Sequence, residues 1–157
     1  MNYQIQDMQR ICDTDSIYWE RLKGKTILIT GATGLIGATL VNGLAYASQV
    51  RGLKIRIICI VRNADKAKAR LDKDVVLKVI PLDKKIEINE SIDFIIHAAN
   101  PTASLFFVNN PVETIKIAVN STVNLLELAK EKKAEGFLYI SSMEVYGHPA
   151  KGHSVKE

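Results

Sequence analysis

The chain has 157 residues, of which 47% are hydrophobic and 24% charged, and 21 basic against 17 acidic side chains give a formal net charge of +4. This is the composition of an ordinary globular domain with one core. The lysines alternate with acids, which argues against a nucleic-acid partner. No apolar run approaches the length of a membrane span, and the first ten residues lack a signal-peptide core. Cys12 and Cys59 predict reduced thiols in a cytoplasmic protein.

Strand-like and helix-like segments alternate along the chain. Residues 1–23 form a polar lead-in, which we expect to be helical around Asp15–Arg21 and to pack through Tyr18 and Trp19. Five apolar runs bounded by turn residues predict buried strands, namely Lys25–Thr30, Lys54–Val61, Val75–Ile80, Ile92–Ala98 and Phe137–Ser141.

Three helices are predicted between these strands. Asn63–Leu71 is short and charged. Gly34–Ala47 carries an apolar stripe formed by Leu35, Ile36, Leu40, Leu44 and Ala47. The third helix starts at Pro111 after an Asn110 N-cap, with Glu113 in its first turn. Its apolar residues recur at helical spacing, at Ile115, Val119, Val123 (or Thr122) and Leu126.

Buried strands without polar alternation, joined by helices, predict a parallel sheet with helices on both faces. The fold class is therefore α/β and doubly wound. We expect residues 24–157 to form one domain that follows the lead-in of residues 1–23.

The segment TGATGLIG lies between the first strand and the first helix of this domain. Gly31 permits a tight turn, Gly34 lets the backbone approach a pyrophosphate, and Gly37 lets the helix pack close to the strand. The amino end of the helix then faces the anion. In this strand–turn–helix setting the glycine spacing predicts a dinucleotide site. The residues expected to contact the dinucleotide here are Gly31, Thr33, Gly34, Leu35, Ile36 and Gly37.

The same segment resembles the TGxxGxxG fingerprint of the extended short-chain dehydrogenase/reductases, the NAD-dependent epimerase/dehydratase group. Four further features agree in order: Asp83 after the third strand, the HAA of His97–Ala99, the segment NSTVNLLE from Asn120, and SSMEVYG at 141–147. The resemblance covers Lys25 to Glu157 and implies a Rossmann domain that binds NAD. Among its branches, HAANPTASLFFVNNPVETIK resembles the UDP-glucuronate decarboxylases, and SSMEVYG also resembles the dTDP-glucose 4,6-dehydratases.

This resemblance implies a nucleotide-sugar substrate that is oxidised transiently at C4 and then epimerises or loses water or carbon dioxide. Ser142 is the implied catalytic residue that hydrogen-bonds to the C4 oxygen, and Met143 and Glu144 are implied substrate neighbours. Met143 stands where dehydratases carry an acid, which argues against water loss because Met donates no proton. A homodimer through the helix that starts at Pro111 is also implied. Implied cofactor contacts outside the glycine segment are Asp83 and Lys84 at the adenine, and Ala98, Ala99, Asn100 and Ser141.

The family's catalytic Tyr-x-x-x-Lys lies a couple of dozen residues beyond SSxxVYG, and no tyrosine of this chain has lysine four residues later. We therefore expect the chain to stop before the catalytic pair, the last strands and the sugar-binding lobe, and to catalyse no hydride transfer alone. Two alternatives stay open. One is an NADP-dependent reductase of the same fold, and the other is a catalytically silent dinucleotide-binding module.

Arg62 leaves the choice of cofactor open. It follows the second strand, where NAD-specific relatives carry an acid, so it can pair with the 2′-phosphate of NADP or be a solvated strand-end residue. His97 is expected to be buried and satisfied by backbone groups, rather than to exchange protons. His148 and His153 have no partners at metal-ligand spacing, so no metal is predicted.

Overall fold

A parallel sheet of five strands forms the centre of the molecule, a computed structural model that describes residues 3–101 and 104–147. The sheet order is β3-β2-β1-β4-β5, and all four pairings are parallel. The strands are β1 (Thr26–Thr30), β2 (Arg56–Val61), β3 (Val76–Val79), β4 (Phe94–His97) and β5 (Gly136–Tyr139). The predicted strands and the doubly wound α/β class are confirmed.

The described residues form α1 (Tyr3–Cys12), α2 (Leu35–Val50), α3 (Ala64–Lys68), α4 (Ser104–Asn109) and α5 (Pro111–Lys132), with 3-10 helices at Trp19–Leu22 and Met143–Tyr146. Within these ranges no helix is long and apolar enough to cross a bilayer. The helix expected around Asp15–Arg21 is present only in part, as the 3-10 helix Trp19–Leu22, and the α-helix of the lead-in lies earlier, at α1. Met8 and Cys12, four residues apart, are buried, and the lead-in packs as α1 on α2. Trp19 is buried as predicted, whereas Tyr18 is exposed.

The strand side chains alternate between two core clusters, one on each face of the sheet. Ile27, Ile29 and Cys59 pack with the small residues of α2 on one face. Leu28, Ile58 and Ile95 pack with α5 on the other face. The two cysteines are free and buried, and burial raises the pKa of the Cys59 thiol to about 12, which keeps it protonated and unreactive.

The apolar stripes predicted from the sequence match the buried helix faces only in part: on α2, Ala47 is buried and Leu44 packs against the core, as predicted, but other stripe residues are exposed. On α5 the buried residues are Ser121, Leu125 and Leu128, and on α2 they are mostly small, such as Gly37 and Val41. Small residues bring a helix backbone close to the sheet, and this close packing decides which face turns inward. The larger residues predicted for the stripes are at least 45% exposed at Leu35, Ile36, Ile115, Val119, Val123 and Leu126.

Candidate functional site

The turn between β1 and α2 packs against the loop that follows β4. Gly31 has φ of +70°, and a Cβ added to it would lie 2.5 Å from the carbonyl carbon of Ala98 and 2.7 Å from the nitrogen of Ala99. Glycine alone meets both the backbone conformation and the space. The structure therefore brings the predicted glycine segment and the predicted Ala98–Ala99 pair into contact.

The amino end of α2 opens directly above this turn. The Gly34 nitrogen donates to the Gly31 oxygen at 2.9 Å, and Gly34 is the N-cap of the 16-residue helix without a side-chain capping bond. The first-turn N–H groups have no partner within the helix, and the helix dipole adds positive potential there. A Cβ on Gly37 would lie 2.8 Å from the Gly31 carbonyl carbon and closer still to its oxygen. These backbone amides make the amino end of α2 a candidate anion site.

The strand order places this anion site at a crevice. The chain runs outward from β1 to β2 and β3 on one side, and then to β4 and β5 on the other side. Such a reversal separates the loops at the carboxyl ends of the strands, which is where ligands bind in open α/β sheets. The predicted residues fall on both sides of the turn: Arg62, Asp83 and Lys84 after β2 and β3, and Ala98, Ala99, Asn100, Ser141 and Ser142 after β4 and β5.

A buried polar network joins the ends of β1 and β4 beneath the crevice. His97 is fully buried, its Nδ1 lies 2.7 Å from Thr30 Oγ1, and its Nε2 lies 3.3 Å from Ser121 Oγ. Ser121 Oγ donates its one proton to the Ile117 carbonyl at 2.5 Å. It must therefore accept from Nε2–H, and in the neutral ring Nδ1 accepts from the Thr30 hydroxyl. Burial favours this neutral imidazole, and side chains hold both of its nitrogens, so the expectation of backbone partners was wrong.

Because of His97, we expect the free energy of unfolding to decrease at acidic pH. Burial lowers the pKa of the imidazole below its ordinary value of 6.5. Between the folded pKa and about 6.5, the unfolded chain binds a proton that the folded chain does not, so stability falls as the pH falls, by up to about 1.4 kcal/mol per pH unit. Urea unfolding at several pH values would measure this slope. A His97→Gln variant should show a shallower slope, and parallel slopes for the two proteins would contradict the assignment.

On the β5 side, Asn100 and Tyr139 form a second polar pair. Asn100 Nδ2 donates to the Tyr139 hydroxyl at 3.0 Å, and the Tyr139 ring lies 5.4 Å from the His97 ring, centroid to centroid. Asn100 Oδ1 is buried without a hydrogen-bond partner in the described part of the chain. A buried acceptor left unpaired is costly, so this atom is one that a polar ligand in the crevice would satisfy.

Two further contacts at the site escaped the sequence reasoning. Arg70 Nη1 donates to the Thr33 oxygen at 2.9 Å, which places a guanidinium beside the glycine turn. Asn124 Nδ2 donates to the oxygens of Leu82 and Lys84, on both sides of Asp83. Arg70 could not be singled out among many exposed cations. Asn124 lies in the segment NSTVNLLE, which was identified by its resemblance to the family, without a role for this residue.

Five further residues singled out in the sequence lie after β2 or after β5. Met143 and Glu144 belong to the 3-10 helix after β5, but their side chains lie outside the described part. His148 and His153 also fall outside it. Arg62 is exposed at the end of β2. Among the residues described, no three His, Cys, Asp or Glu side chains cluster in a way that could hold a metal ion.

The sheet order and the glycine-rich turn define a Rossmann-type domain. The family model described as the NAD dependent epimerase/dehydratase family matches residues 27–157. The chain belongs to this family, and the resemblance read from its motifs is confirmed.

Individual relatives agree with this membership. UDP-glucuronic acid decarboxylase 6 of Arabidopsis thaliana is 35% identical over 126 residues, which are 78% of this chain and 35% of that protein. A UDP-glucose 4-epimerase of Schizosaccharomyces pombe is 29% identical over 136 residues, 80% of this chain and 37% of that protein. The chain thus spans about a third of the length of these curated relatives.

Solved structures support the fold. The UDP-glucose 4-epimerase of Thermus thermophilus, in complex with NAD, matches with a TM-score of 0.67 and 21% identity. The match covers 84% of this chain and 42% of that chain. The epimerase Mth375 of Methanothermobacter thermautotrophicus matches with a TM-score of 0.68 and 22% identity, over 80% of this chain and 37% of that chain. At 21% and 22% identity, the structural similarity supports the fold alone.

Proposed function

We propose that this chain binds NAD across the crevice, as the cofactor-binding part of a nucleotide-sugar epimerase or decarboxylase that oxidises its substrate transiently at C4. The observation that carries the proposal is the packing of Gly31 on Ala98 beneath the uncapped amino end of α2. A pyrophosphate needs close backbone approach and free amides, and this turn supplies both. The similarity to a UDP-glucuronic acid decarboxylase and a UDP-glucose 4-epimerase supports the substrate class.

The proposed cofactor contacts follow the division of the crevice. The backbone of the turn, from Gly31 to Gly37 with Thr33, Leu35 and Ile36, would hold the pyrophosphate. Asp83 and Lys84 lie on the β3 side and would hold the adenine, whereas Ala98, Ala99, Asn100 and Ser141 lie on the other side and would hold the nicotinamide half. Bound NAD supplies the hydride acceptor.

The proposed substrate contacts follow β5. Ser142 would donate a hydrogen bond at the C4 oxygen of the sugar, and Met143 and Glu144 would adjoin the sugar. Because Met143 carries no proton, we favour epimerase or decarboxylase outcomes over water loss. The 157 residues contain no Tyr-x-x-x-Lys, so the chain alone should not turn over a nucleotide sugar. Turnover by the isolated chain would refute that expectation.

Calorimetric titration of NAD into the chain tests the proposed function. We expect saturable binding of one dinucleotide per chain. The similarity to the Thermus thermophilus epimerase, whose structure is a complex with NAD, supports this cofactor. If neither NAD nor NADP binds at millimolar concentration, the proposal is wrong.

Cofactor preference is tested through Arg62. If its guanidinium pairs with a 2′-phosphate, Arg62→Ala should weaken NADP binding about tenfold or more and leave NAD binding within about twofold. Asp65→Ala on the neighbouring helix is the control, because Asp65 lies too late in the chain for the ribose. Equal losses for both cofactors would remove Arg62 from the phosphate role.

We also infer a homodimer that packs through α5. Its support is a row of exposed apolar residues along this helix, since a contiguous apolar surface usually marks an interface. These residues are Val112, Ile115, Val119, Val123 and Leu126. Sedimentation velocity over a range of concentrations tests the inference, and a single monomeric species throughout would exclude the dimer.

A further inference from the structure

Asn124 lies half-buried on α5 and contacts the loop between β3 and β4. Its Nδ2 donates to the Leu82 oxygen at 2.8 Å and to the Lys84 oxygen at 3.0 Å. Both partners are carbonyl oxygens, which only accept hydrogen bonds, so the NH₂ end of the amide must face them. One side chain therefore fixes the backbone immediately before and immediately after Asp83.

The rest of the loop is anchored by apolar contacts. Leu82 packs against the core cluster on the α5 face of the sheet, and Ile86 and Ile88 are buried in it. Between these anchors Asp83 and Lys84 are exposed at the carboxyl edge of the sheet. Exposed loop residues are mobile unless their backbone is tied down. The two hydrogen bonds from Asn124 hold the loop backbone in place at this point.

We propose that Asn124 is a positioning residue that holds the Asp83 carboxylate where it accepts a hydrogen bond from the exocyclic amine of a 6-aminopurine. The proposal rests on the proposed function, because it deepens the adenine side of the same crevice. An ionised carboxylate accepts and does not donate, so it distinguishes an amine from a carbonyl at position 6 of the purine. Asn124 does not touch the ligand and acts through the loop backbone.

The test compares NAD with nicotinamide hypoxanthine dinucleotide, which carries a carbonyl in place of the adenine amine. The wild-type chain should bind NAD about tenfold more tightly than the hypoxanthine analogue, as expected for one charge-assisted hydrogen bond. Asn124→Leu should lose most of this preference by weakening NAD binding alone. Asn120→Leu is the matched control, since Asn120 is an exposed residue of the same type on the same helix.

A double-mutant cycle separates positioning from general damage. Asp83→Ala should remove the same preference, and adding Asn124→Leu to it should cause no further loss, because the two residues act as one unit. Should Asn124→Leu fail to fold, Asn124→Asp keeps the shape, removes both donors and takes its place in the cycle.

The possible results distinguish the two levels of the proposal. If Asn124→Leu weakens both dinucleotides equally, or keeps the wild-type preference, the inference is wrong while the proposed function stands. The same holds if the wild-type chain binds both dinucleotides equally well. If the wild-type chain binds neither, the proposed function fails and the inference fails with it.

Discussion

Gly31→Ala should abolish NAD binding and destabilise the chain by about 2–5 kcal/mol. Part of this loss is the strain of a side chain at φ of +70°, about 1–2 kcal/mol. The rest, about 1–3 kcal/mol, is the collision of the new methyl group with the backbone of Ala98 and Ala99, which cannot move without shifting β4. Urea unfolding and calorimetric titration measure the two effects.

The control for this substitution is Gly52→Ala. Gly52 has nearly the same backbone conformation, with φ of +65°, but a Cβ there would meet nothing within 4 Å. Gly52→Ala should therefore lose only the strain, about 1–2 kcal/mol, and keep NAD binding. If the two variants were equally destabilised and bound NAD equally well, the contact between the glycine turn and the β4 loop would contribute neither to stability nor to NAD binding.

Gly37→Ala should destabilise the chain whereas Gly43→Ala should not, although both residues lie in α2. At Gly37 the new methyl group would meet the Gly31 carbonyl and, at 3.0 Å, the Ala32 Cα, all of it backbone. At Gly43 it would meet only the side chains of Ile11, at 3.4 Å, and Met8. In a helix Ala is favoured over Gly by about 1 kcal/mol, so Gly43→Ala should be neutral or stabilising.

Gly37→Ala should instead lose about 1–3 kcal/mol, because the first turn of α2 must separate from the glycine turn. The same displacement moves the backbone amides at the amino end of α2 away from the proposed pyrophosphate position, so NAD affinity should fall by at least about tenfold. Chemical denaturation and NAD titration of the two variants provide the comparison. Stabilisation of both variants, with unchanged NAD binding, would show that the close approach of α2 to Gly31 is not needed.

The strands and the glycine turn were predictable because their signals are local. KTILIT and KIRIICIV are continuous apolar runs, and each became a strand buried on both faces. The glycine spacing follows the first of these runs, and backbone geometry at a strand–helix junction depends on a few adjacent residues. Local pattern was therefore enough for the fold class and for the geometry of the glycine turn.

The helix faces and the polar network were not predictable because they depend on distant partners. Hydrophobicity assigned Ile115 and Val119 to the apolar side of α5, but the helix buries Ser121, whose hydroxyl meets His97. Thr30 and His97 are 67 residues apart, and only the pairing of β1 with β4 brings them together. Contacts of this kind follow from the sheet register, which no short segment contains.

Backbone amide NMR during titration with NAD tests the central claim most directly. The largest chemical-shift changes should fall on the amides of residues 31–38, with further changes at Ala98 and Ala99, and saturate at one NAD per chain. Changes centred on α1 or on the outer face of α5, with residues 31–38 unaffected, would contradict the claim that this turn holds the pyrophosphate.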